Sequence, residues 1–242
     1  MPNHTLVNNI DHKDTKIITE RSAAYGDDIW FTQTFPAEYR SVQAYYPIFF
    51  TKDENTGRFF SVALFGFQQN ENLFIKDNRW SVPYIPLTHA RTPFLIGEQA
   101  LMEDGIEKHQ RVLFLDEDHP RVNTEQGEPL FLEFGANAPY LESMADMMEV
   151  LHHGIEDHNA FIDMLVELEL LESFTLDVEL NDRSQHQMLG FYTINEDKLA
   201  ALSSEVIAKL HQNGHLQPIY MTLASQSNVT RLIQLKNAQL GL

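Results

Sequence analysis

Between Tyr46 and Gly97 the chain can fold in few ways. Two short apolar runs, Tyr46 to Phe50 and Phe59 to Phe67, flank a polar connection holding Asp53, Asn55, Thr56 and Gly57. That pattern predicts an antiparallel hairpin with a loop of several residues. A third run, Asn72 to Ile75, follows the polar turn Gln68 to Glu71 and extends the prediction to a small meander. Pro83, Pro86 and Pro93 come next, each fixing its own φ and pushing the residue before it out of the helical region. Trp80, Tyr84, His89, Arg91 and Phe94 therefore sit on a stiff, non-helical track, either a structural strap or the wall of a binding site.

Length and composition narrow what can surround this segment. With 242 residues and 43% hydrophobic side chains, the chain can bury a sizeable core without staples. It has no cysteine, so disulfides, zinc–thiolate sites, iron–sulfur clusters and thiol catalysis are excluded together. A net charge of −18 repels phosphate backbones and anionic lipid surfaces, which argues against nucleic-acid partners. The N-terminal stretch lacks an apolar run of signal length, and no stretch of about 18 apolar residues occurs, so a cytoplasmic chain without membrane insertion is expected.

The remaining pattern predicts an α+β fold. A short helix is expected over Phe35 to Tyr46, an ambiguous polar connection over Gln99 to Gln110, and a second hairpin pairing Arg111–Asp116 with Pro129–Phe134. Leu141, Met144, Met148, Leu151, Ile155, Ile162 and Leu165 mark a helical stripe in which Gly154 could introduce a bend and His158 takes one apolar position. A third hairpin over 174–192 precedes a helix over 196–213, with Asn195 placed to cap it, and a last helix from Pro218. Each hairpin has one apolar side and each helix one apolar stripe, which predicts a mainly antiparallel sheet built from hairpins and covered by three or four helices. The third hairpin lies between two of the helices, so residues 1–242 are expected to form one domain.

Familiar catalytic signatures are missing. The glycine spacings of phosphate loops are absent, as are GxSxG and HExxH. His12 and Asp14 form an HxD pair, the spacing that supplies two ligands in non-haem iron oxygenases, but it lies at the start of the chain and has no third ligand fixed by spacing. Glu149, His152, His153, Asp157 and His158 include one ExxH without the second copy that di-iron bundles need, so most of this cluster reads as a solvated helix face. Ser225 to Asn228 reads as a polar helix contact. No cofactor is expected.

A resemblance adds to this reading. Phe35-Pro36-Ala37-Glu38-Tyr39, Tyr46-Pro47-Ile48-Phe49-Phe50, Leu64-Phe65-Gly66-Phe67, Glu71-Asn72-Leu73-Phe74, Trp80 with Tyr84-Ile85-Pro86, and Arg91-Thr92-Pro93-Phe94 occur in this order. Leu189-Gly190-Phe191-Tyr192, Asn195 to Leu199 and Ser225 to Leu232 continue it. Together they resemble the bacterial SapC family, distinct from the peptide-transport permease of the same name. The resemblance carries over no catalytic residues. It implies the company of flavin-dependent halogenases, cupin-like hydroxylases and TonB-dependent receptors, hence an accessory role in handling a peptide, an amino acid or a protein. On this reading the chain is a binding or accessory protein, with a small-molecule or peptide ligand, or a partner enzyme such as a halogenase. Asn72, Trp80, Tyr84, Arg91 and Phe94 are its candidate binding residues. The rival is a metal-dependent oxygenase using His12 and Asp14.

Overall fold

The computed structural model describes residues 3–103 and 106–242. Its chain divides into two compact units, neither continuous in sequence: Met1–Asp27 with Ala90–His153, and Asp28–His89 with Gly154–Leu242. Antiparallel sheets and helices make up the chain, an α+β fold. Among the described residues, no helix is long and apolar enough to cross a membrane.

The second unit is built on a five-stranded antiparallel sheet. Its strands lie in the order Leu171–Glu179, Gln185–Ile194, Ile48–Lys52, Phe59–Leu64 and Phe31–Thr34. The hairpin expected around Asp53 is present, with Ile48 opposite Ala63 and Lys52 opposite Phe59. Asp53 Oδ1 closes its loop by accepting from the Asn55 and Thr56 amides. The hairpin over 171–194 is likewise present. The third neighbour differs from the meander prediction. Phe31–Thr34, preceding the hairpin in sequence, pairs with Phe59–Leu64, whereas the run after it yields only the two-residue pair Ile75–Lys76 and Arg79–Trp80. Asn72 to Phe74 is too occupied to extend the sheet, because the Leu73 amide donates to Phe65 O and the Phe74 amide to Asn72 Oδ1.

Helices bury this unit's core, which includes Tyr39, Tyr46, Phe49, Phe50, Phe65, Phe161, Leu165, Ile219 and Leu232. The helix Pro139–Glu167 runs unbroken through Gly154. That glycine makes room for a neighbour: a Cβ there would stand 2.2 Å from the Phe35 ring. The helix expected over 196–213 is two, Glu196–Ala200 and Ser204–Gln212. Asn195 caps the first by accepting from the Lys198 amide, and Ser203 caps the second by accepting from Val206. The last helix is also two, Leu216–Ser225 and Asn228–Leu240. The strap is not wholly non-helical, since Leu87–Ala90 closes one helical turn.

In the first unit the second predicted hairpin is replaced. Phe94–Glu103 pairs with Ile106–Asp116 along its length, and His4–Leu6 lies on the other side of the latter strand. The polar connection of the sequence reading is therefore mostly strand, apart from 104 and 105, which lie outside the described residues. Of the expected partner Pro129–Phe134, only Pro129 lies in a strand, Glu128–Pro129, which pairs with Lys16–Ile17, while Phe131 makes a single bridge to Asn137. The core here is Ile17, Phe94, Leu115, Leu130, Phe131, Leu141 and Met144. A charged knot sits beside it. Arg121, 1% exposed, donates to Asp27 Oδ2 and to the carbonyls of Ile18 and Glu20, and Arg21 donates to Asp27 Oδ1. The buried charges thus face each other across hydrogen bonds, although Arg121 Nε is buried without a partner among the described residues.

Candidate functional site

The five candidate residues do not share one unit. Arg91 and Phe94 belong to the first, where Phe94 is fully buried and Arg91 Nη1 donates to the Phe94 carbonyl. Burial holds the Arg91 guanidinium below its ordinary pKa. Asn72, Trp80 and Tyr84 belong to the second, and their polar atoms serve the fold. Asn72 Oδ1 accepts from the Phe74 amide. Trp80 Nε1 donates to the Tyr46 hydroxyl at 2.6 Å, Tyr46 donates to the Tyr84 carbonyl, and the Tyr84 hydroxyl donates to Glu38 Oε2 at 2.8 Å.

Glu38 ends that relay. Its carboxylate also accepts from the Thr34 hydroxyl at 2.7 Å and from the Leu87 amide at 2.9 Å. Burial raises its pKa, and those three donors oppose the rise. The turn carrying Glu38, Pro36–Glu38, continues into the helix Tyr39–Val42, so the aromatic strap is fastened to the backbone that presents Pro36, Ala37 and Arg40. Glu71 makes a comparable fastening: it accepts from the Phe67 amide, pairs with buried Lys236, and approaches Gly66 so closely that a Cβ there would meet its carbonyl at 2.6 Å.

Open space in the second unit lies elsewhere. A groove of about 610 Å³ is lined by five aromatic rings, Trp30, Phe31, Phe60, Phe191 and Tyr192, beside Lys52 and the loop from Asp53 to Asn55. Trp30 and Phe31 meet Phe191 edge to face, with centroids 5.8 and 6.4 Å apart, although the strand Phe31–Thr34 and that of Phe191 are not neighbours in the sheet. The Lys52 ammonium stands 4.7 Å from the Phe59 centroid and 5.3 Å from that of Tyr192. Gly190 adopts φ of 84° at the groove wall, and Leu189 beside it is 65% exposed. A second cavity of about 380 Å³ is lined by Arg40, Asp157, Phe161 and His215 among others.

None of the aromatic groove's lining residues is a binding candidate from the sequence, although Leu189-Gly190-Phe191-Tyr192 carries part of the resemblance. The missing information was topological: Trp30 precedes the strand Phe31–Thr34, and Phe60 and Tyr192 lie on two other strands, so the lining is drawn from separate parts of the chain. The local signal in the sequence is the pairing of adjacent rings at Trp30-Phe31, Phe59-Phe60 and Phe191-Tyr192.

His12 and Asp14 are set in a turn and not on a strand. The His12 ring is 2% exposed, with Nε2 within 3.1 Å of the Thr5 hydroxyl and 3.3 Å of Glu117, and Nδ1 turned to the Asn8 backbone; Asp14 is exposed. Among the described residues no three His, Asp or Glu side chains are grouped so as to hold a metal. Glu149 pairs with Arg111 at 2.8 Å, as a solvated helix face allows.

The chain matches the SapC family model over residues 7–232 and belongs to that family. No curated protein and no solved structure matches it.

Proposed function

We propose that this SapC-family protein is a non-enzymatic binding or accessory protein that holds an extended peptide, free or within a partner protein, in the aromatic groove of its second unit. The observation that supports this is the lining itself: five rings around about 610 Å³, within the size range of ligand pockets. Ring faces give apolar contact at little conformational cost, and Lys52 and Asp53 supply polar orientation at one end. Trp80 and Tyr84 take part as braces of the sheet and turn rather than by touching the ligand. The partner class, a flavin-dependent halogenase or a cupin-type enzyme, is what the family resemblance implies.

The chain has two tryptophans, Trp30 in the groove and Trp80 in the strap. In Trp80→Phe protein, titration with short unstructured peptides, or with a purified partner halogenase, is expected to change the emission of Trp30. Phe31→Ala and Tyr192→Ala should each weaken binding at least tenfold, about 1.4 kcal/mol. Emission that never changes, or affinity untouched by both substitutions, removes the groove as the site. Co-purification with a flavin-dependent halogenase or a cupin-type enzyme, with and without those substitutions, separates peptide from protein recognition.

A further inference from the structure

The smaller cavity of the second unit carries charges that make no hydrogen bond or ion pair among the described residues, although Asp157 bears electrostatically on His215. Arg40 and Asp157 both line it. Neither the Arg40 guanidinium nor the Asp157 carboxylate has a hydrogen bond or ion pair with another side chain among the described residues, and the two do not pair with each other. His215 lines the same space with its Nδ1 buried and without a partner. The helix Leu216–Ser225 that follows opens with no side-chain cap, and Pro218 in its first turn has no N–H to offer. Its start is therefore a weakly positive end, directed by the peptide dipoles toward negative charge.

Charge of both signs decides the ligand class. A multiply charged anion such as phosphate would meet Asp157, and a metal cation or polyamine would meet Arg40. A molecule bearing one carboxylate and one ammonium satisfies both, with charge-assisted hydrogen bonds at each end. Apolar surface continues beyond the charged part. Phe161 forms one wall, its ring 5.7 Å from that of His215. Gln217 and Met221 are shared with an adjoining groove of about 420 Å³ along the same helix, where Tyr220 is 54% exposed.

We infer that this cavity binds a free α-amino acid with an apolar or aromatic side chain: its carboxylate on Arg40 and the start of the helix Leu216–Ser225, its ammonium on Asp157, its side chain along Met221 and Tyr220. This second site shares no residue with the aromatic groove, so either assignment can fail alone.

The test is calorimetric titration of the full chain with L-phenylalanine and with its two charge-deleted analogues, 3-phenylpropanoate and 2-phenylethylamine. L-Phenylalanine is expected to bind, and each analogue to bind at least tenfold more weakly. Arg40→Gln and Asp157→Asn should each weaken L-phenylalanine at least tenfold, while Asp157→Asn leaves 3-phenylpropanoate unchanged or tighter. Both side chains are exposed, so both variants are expected to keep the wild-type circular dichroism and melting temperature. Absence of binding to the wild-type chain overturns the assignment, as does equal affinity for all three compounds or indifference to both substitutions.

Discussion

His158 occupies a position in the stripe of the helix Pro139–Glu167 where the spacing calls for an apolar side chain, and it is 2% exposed with neither ring nitrogen bonded. Burial, aided by the positive charge of Arg58, lowers its pKa to about 4. The ring is therefore neutral in the folded chain at pH values where an unfolded chain would protonate it. Between about pH 6.5 and 4 the unfolded state binds the extra proton, so folding stability falls as pH falls, by about 3 kcal/mol in all. His158→Leu is expected to remove that slope in urea unfolding followed between pH 7 and 4. It should also gain about 1 kcal/mol at pH 7 by relieving an unbonded polar group. Glu38 has the opposite sign. Its raised pKa favours the protonated folded state, so its contribution declines as pH rises through the folded value. Tyr84→Phe deletes a donor to that carboxylate, and its cost, about 1.5–3 kcal/mol for a bond to a charged group, should be greater at pH 8 than at pH 4. Equal loss at both pH values would show that the hydroxyl is not serving the carboxylate.

At the scale of elements, Ser225 joins the helix Leu216–Ser225 to the sheet. Its hydroxyl accepts from the buried Ile48 amide at 2.8 Å and donates to the Thr222 carbonyl at 2.6 Å. Ser225→Ala leaves that amide without a partner and is expected to cost about 1–3 kcal/mol, read as a lower urea midpoint with an unchanged slope. The sequence reading of this stretch as a helix contact rather than a nucleophile agrees with that geometry. Local patterns were legible in general: the Asp53 and 171–194 hairpins, the long helix and the Asn195 cap all follow from residues near one another. Pairing at a distance was not. Phe94–Glu103 carries Gly97 and several polar residues, and its strand character comes from Ile106–Asp116 beside it rather than from its own alternation. Gly97 is itself explained only by that partner, whose Phe114 ring would lie 2.6 Å from a Cβ. The candidate binding residues were legible as a stiff aromatic track. Their use inside the fold was hidden because Glu38, which the relay reaches, is 46 residues away from Tyr84 in the chain.

For the whole molecule, one cooperative domain over residues 1–242 remains the expected behaviour. The chain passes between the two units after Asp27, His89 and His153. A fragment ending near residue 137 would keep Ile48–Lys52 without the strand Gln185–Ile194 and would lose Leu141 and Met144 from the core that holds Phe94. Limited proteolysis is therefore expected to yield nicked but associated chains and no such fragment that folds by itself. Release of a stable piece with that end point would establish independent domains.

The interleaving of the two units also sets an order of events on the ribosome. Residues 28–89 emerge early, yet the strand Ile48–Lys52 must wait for Gln185–Ile194 before its second edge is paired. At ordinary elongation rates that wait lasts on the order of ten seconds. Throughout it, the Phe-rich hairpin presents an open edge of the kind that recruits other nascent chains. Yield of intact protein should therefore depend on chaperone supply and translation speed more steeply than the stability of the finished molecule would suggest.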